Sequence, residues 1–85
     1  MSDEEMRKRG YAEGAIRAVR FIEGLSTEEL LLSLEDTAVG RAKHDDICRK
    51  IGPGTNRSWV TSRVAEELCF YRDAITVEQY DRIVD

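Results

Sequence analysis

Three times along this chain a hydroxyl residue is followed three positions later by a glutamate or glutamine, and that spacing constrains the fold more than any other feature. The pairs are Ser2 and Glu5, Ser26 and Glu29, and Thr76 and Gln79. At this spacing the hydroxyl accepts from the third backbone N–H of a helix, and the acid or amide reaches back to the N–H of the capping residue. Leu25 and Leu30 flank the second signal, and Ile75 and Tyr80 the third, at the positions where a hydrophobic staple closes. No stretch alternates β-branched or aromatic residues with polar ones at period 2, so strands are not expected. The reading is an all-α chain, a compact bundle of about five helices forming a single domain over residues 1–85.

Periodicity places the helices. The first should run from Ser2 to about Glu23, with Ala12, Ala15, Ile16, Val19 and Ile22 on one stripe, Glu13 paired with Arg17, and Gly10 and Gly14 weakening it. A second, from about Thr27 to Ala38, should bury Leu30, Leu31 and Leu34 and end near Gly40. A third, from about Lys43 to Ile51, is closed by Gly52-Pro53-Gly54, which no helix crosses easily. After it, Thr55, Asn56 and Ser58 offer cap oxygens, and Val60, Val64, Leu68, Tyr71 and Ile75 keep helical spacing. The last helix, from about Val77 to Val84, should turn Tyr80, Ile83 and Val84 inward. Leu30, Leu34, Ile47, Ile51, Val60, Val64, Leu68 and Tyr71 form the expected core.

With 85 residues, such a domain buries only about 60% of the surface its unfolded chain exposes. That leaves one small core and no deep cleft, and a non-enzymatic protein is expected. No apolar run, Leu30 to Leu32 included, comes near the roughly 20 residues that cross a bilayer. The acidic start, Ser2-Asp3-Glu4-Glu5, has no apolar signal segment, so a cytoplasmic protein with no membrane partner is expected. Cys48 and Cys69 are read as reduced small hydrophobes. His44 and Cys48, four apart, share a helix face, but no third orienting residue accompanies them. They read as a surface histidine near a helix start and a core cysteine, with Asp45 and Asp46 as first-turn acids complementing the helix dipole. Gly52 to Asn56 reads as a helix stop and turn, since it lacks the lysine and spacing of a phosphate-binding loop. No catalytic residue, metal ligand or cofactor is assigned.

Charge is unevenly spread beneath a net value of −4. Residues 1–40 carry five basic and nine acidic groups, residues 41–72 seven basic and four acidic, and residues 73–85 one basic and four acidic. Within the basic middle, His44 to Ile51, the Gly52 turn and the segment opening Ser58-Trp59-Val60-Thr61-Ser62-Arg63-Val64 resemble a helix-turn-helix DNA-binding unit. The resemblance covers residues 44–72, has a turn longer than the usual three or four residues, and carries Glu66 and Glu67 on the second helix. It implies that Asn56, Arg57, Thr61 and Ser62 meet base edges in the major groove, while Lys43, Arg49, Lys50 and Arg63 meet phosphates.

Trp59 and Phe70 lie off the apolar stripe of that second helix and, eleven residues apart, return to nearly the same side. An aromatic face of that kind suits contact with another chain, and a homodimer is expected. The same two aromatics support an alternative from another class. In it the chain is an acidic interaction module, an inhibitor, antitoxin or adaptor, that engages a basic partner protein through Trp59, Phe70 and the acids Glu28, Glu29, Glu35 and Asp36.

Overall fold

The computed structural model describes residues 2–85, and over them the chain is all-α. Six helices follow in order: α1 Asp3–Lys8, α2 Glu13–Glu23, α3 Thr27–Ser33, α4 Ala38–Ile51, α5 Arg57–Glu66 and α6 Val77–Val84, with α5 continuing into a π-helical turn at Glu67–Tyr71. The three hydroxyl signals all act as caps. Ser2 accepts from Glu5 N at 3.2 Å, and Ser26 with Glu29 and Thr76 with Gln79 close complete capping boxes. Asn56 is the cap chosen after the Gly-Pro-Gly break, accepting from Trp59 N at 3.1 Å.

Four boundaries differ from the sequence expectation, each for a local reason. The single first helix is two, because Gly10 takes φ +90° and the N–H groups of Gly10 and Tyr11 fold back to Arg7 O and Met6 O, both at 3.0 Å. That is a Schellman closure of α1. Glu13 accordingly pairs with Arg7 at 2.7 Å rather than with Arg17. The second helix stops at Ser33, whose buried hydroxyl donates to Leu30 O at 2.7 Å, so Leu31 is left partly exposed while Leu30 is buried.

Gly40 does not end a helix. Thr37 caps α4, accepting from Gly40 N at 2.9 Å, and α4 therefore begins five residues before Lys43. Gly40 is required there by close approach: a Cβ would lie 2.8 Å from Leu32 O and closer still to Glu35 O. Backbone must move to admit it, so Gly40→Ala should cost about 1–3 kcal/mol in urea unfolding, whereas an unstrained site would gain from the same change.

The fourth difference is the π turn. Its wider spacing takes the chain off the 3.6-residue stripe, Asp73 follows at φ 53°, and Ala74 N reaches back to Leu68 O at 2.7 Å. Tyr71, expected in the core, is 52% exposed, and Ile75 lies beyond the helix, partly buried against the core.

The main core gathers Ile22, Leu30, Ile47, Cys48, Val60, Val64 and Leu68, with Leu34 and Ile51 packed at its edge. A smaller cluster of Met6, Ile16 and Val19 joins α1 to α2, and Trp59 touches both. Tyr80, Ile83 and Val84 are only half-buried, and no residue of α6 is fully buried. Among the described residues no helix is long and apolar enough to cross a membrane.

Candidate recognition surfaces

Helices α4 and α5 form the helix-loop-helix pair on which the DNA reading rests. Gly52, at φ +136°, ends α4, and Ile47 and Cys48 share the main core with Val60 and Val64. The cations of this pair are not free. Arg41 lies 2.7 Å from Asp36, Lys43 2.8 Å from Glu29, and Arg49 and Lys50 share Asp46 at 2.7 and 3.2 Å. Arg57 pairs with Asp45, and Arg72 lies 3.2 Å from Glu67. Glu29 accepts from Lys43 Nζ and from the backbone N–H of Ser26, and these contacts, with the Ser26 side chain close by, lower its carboxyl from its ordinary value to about 2. Asp46 is held below the usual carboxylate range by Lys50 first and Arg49 second. Asp45 and Asp46, expected in a first turn, sit in the middle of the longer α4, where they serve these pairs.

Arg63 departs furthest from its expected place on the outer face. It is 5% exposed, with one guanidinium nitrogen 3.7 Å from Glu67 Oε1 and another 3.3 Å from Glu66 Oε1, the latter without the alignment of a hydrogen bond. The guanidinium also lies 5.3 Å from the Tyr71 ring centroid. Arg63 is thus an internal counter-charge to Glu67, drawn in by the carboxylate one turn ahead. Arg72 completes the network, donating to Glu67 Oε2, to Thr27 Oγ1 at 3.2 Å and to Glu23 O at 3.0 Å, so that it ties the end of α2 and the start of α3 to the π turn.

The first turn of α5 borders an open cleft of about 430 Å³. Arg57, Ser58 and Thr61 line it together with Glu35 and Asp36 from the α3–α4 corner. Asn56 and Arg57 are exposed; Thr61 and Ser62 are half-buried. Thr61 donates its hydroxyl proton to Arg57 O at 3.0 Å, so His44 Nε2, 2.8 Å away, is the donor in that contact. His44 Nδ1 then accepts from the Cys48 thiol at 3.6 Å. Contrary to the surface position expected, His44 is buried, because α4 begins earlier and its middle faces α5. Burial, then the nearby Arg57, push the His44 imidazole below its ordinary value, and burial pushes the Cys48 thiol up. Both shifts favour the neutral forms, the opposite of the thiolate–imidazolium pair that covalent catalysis needs. Among the described residues no three His, Cys, Asp or Glu side chains converge as a metal-binding group.

Trp59 and Phe70 are held by different neighbours. Trp59 packs against both core clusters and borders a groove of about 560 Å³ with Ala15, Ala18, Ile51, Pro53 and Arg17. Phe70, 58% exposed, meets the edge of Tyr80 with ring centroids 4.9 Å apart. The π turn between them undoes the eleven-residue return. Tyr71 and Val77 are exposed beside Phe70 and along α6, so the end of the π turn and α6 present an aromatic and aliphatic corner. The carboxylates of this region, Asp73, Glu78, Asp81 and Asp85, have no ion-pair partner among the described residues. Comparison with protein-family models, curated proteins and solved structures finds no match for the chain.

Proposed function

We propose that the chain is a non-enzymatic interaction module that engages a basic partner protein. The observation that carries this reading is the pairing of all seven cations of residues 41–72 with carboxylates of the same chain. Each exposed pair is worth only about 0–1 kcal/mol, so the energy of breaking pairs is not the obstacle to nucleic acid. The obstacle is the carboxylate that remains beside each cation. A phosphate approaching Arg57 meets Asp45, and one approaching Arg49 or Lys50 meets Asp46. The affinity of DNA-binding proteins comes largely from cations that displace the counterions of the duplex. Here the overall charge of −4 adds repulsion, and Glu35 and Asp36 line the same cleft as the first turn of α5.

Titration of labelled duplex DNA at low ionic strength tests the reading, with capture of basic proteins by the same purified chain in parallel. The expected result is no duplex complex and capture of a basic protein that Phe70→Ala weakens. The DNA reading takes its place if a duplex complex forms, its affinity falls steeply with salt, and Lys50→Ala lowers the salt slope by roughly one.

A further inference from the structure

We infer that the corner formed by Phe70, Tyr71, Val77 and Tyr80 is the docking surface for a basic segment of a partner protein, an apolar stretch flanked by lysines or arginines. The inference deepens the interaction-module reading and rests on it. Its first ground is that the corner is apolar where nothing in the fold requires it to be open. The π turn carries Phe70 and Tyr71 out to solvent, and α6 has apolar residues at Val77, Tyr80, Ile83 and Val84 yet none that is fully buried. Phe70 and Tyr80 are already locked edge to face, so an incoming side chain meets a preformed aromatic surface. Rigid aromatics of this kind dominate binding energy because little side-chain entropy is lost on contact.

The second ground is charge. Of the carboxylates without an ion-pair partner among the described residues, four fall at Asp73, Glu78, Asp81 and Asp85, in the segment that leads into and forms α6, where Arg82 is the one cation, while Arg63 and Arg72 nearby are engaged by Glu67. Asp81 follows Tyr80 directly and stands one turn beyond Val77 on α6. A second copy of the chain placed face to face here would bring two such acidic segments together. A segment with lysines or arginines beside apolar anchors would instead pair with these carboxylates, and its guanidinium groups would stack on the Phe70 ring, since Arg63 already lies over Tyr71.

The probe is a synthetic amphipathic helix of leucine and lysine, with a leucine–glutamate helix of the same pattern as its counterpart, added to the isotope-labelled chain and followed by NMR. The expected result is that the lysine helix shifts resonances of Phe70, Tyr71, Val77 and Tyr80 and the glutamate helix does not. Phe70→Ala, a substitution at an exposed side chain, should weaken the complex about tenfold with no change in fold. Glu78→Gln combined with Asp81→Asn should flatten its salt dependence, and Arg17→Ala should leave it unchanged. Equal binding of the two helices, absence of binding by the lysine helix, or shifts confined to the groove beside Trp59 would each overturn the assignment of this corner. Self-association that disappears in Phe70→Ala would make a second copy the occupant and overturn it too. None of these outcomes depends on DNA, whose binding instead decides the interaction-module reading.

Discussion

Glu67→Ala is expected to destabilise the protein by about 3–5 kcal/mol, because it removes the carboxylate that two buried guanidinium groups share. Glu67 and Arg63 are both almost fully buried, and Arg72 is mostly so. Without Glu67, Arg63 keeps the misaligned approach of Glu66 and the Tyr71 ring, and Arg72 keeps its bonds to Thr27 and Glu23 O but loses its counter-charge. The network is already incompletely satisfied, since Arg63 Nη1 and Glu67 Oε1 lack hydrogen-bond partners. Its contribution therefore lies in what deletion leaves stranded rather than in the strength of the intact pairs. A domain of this size has about 5–15 kcal/mol of stability in all, so the loss should appear as a large drop in the urea midpoint. Glu67→Gln, which keeps an acceptor for Arg72, should cost clearly less. A loss below about 1 kcal/mol in Glu67→Ala would mean that water reaches both guanidinium groups in the variant.

The parts of the fold that are local in chemistry were legible in the sequence. Ser2, Ser26 and Thr76 announce helix starts because a side-chain oxygen three residues from an N–H is a local arrangement, and Gly52-Pro53-Gly54 announces a stop for equally local reasons. The start of α2 was hidden because Ala12 has no capping oxygen, and that of α4 because Thr37 is followed at the third position by Gly40, which reads as a terminator. The need for glycine there comes from the backbone of the preceding corner, which only the folded chain brings near. The π turn has no residue signature at all, so a 3.6-residue period points Tyr71 inward although that period does not hold there.

Charge followed the same division. The sharing of Asp46 by Arg49 and Lys50 is a matter of i,i+3 and i,i+4 spacing on one helix, open to sequence reasoning. The pairing of Lys43 with Glu29 and of Arg57 with Asp45 joins different elements, and it is this pairing that turns a locally basic segment into a neutralised one. The burial of His44 against Thr61 and Cys48 likewise depends on how α5 lies against α4. Spacing therefore shows which groups are available, while packing decides which of them still face solvent.

Leu68→Ala should destabilise by about 2–5 kcal/mol, toward the upper part of that range. Leu68 is fully buried, and its cluster draws Ile22 from α2, Leu30 from α3, Ile47 from α4 and Val60 and Val64 from α5. Walls supplied by four separate helices cannot all move inward when the side chain is shortened, so most of the cavity should persist, and the cost of such substitutions rises with the volume left empty. Position adds a second consequence. Leu68 lies within the π turn and its carbonyl receives Ala74 N, so a loosened Leu68 should also loosen the segment that carries Phe70 outward. Leu68→Met, which conserves volume, should cost less than about 1.5 kcal/mol. Urea unfolding of the two variants gives the comparison, and the Phe70 and Tyr80 ring resonances report whether the corner keeps its edge-to-face arrangement. A loss below about 0.5 kcal/mol in Leu68→Ala would place the side chain at the surface and undo the packing of α5 against α3 and α4 described above.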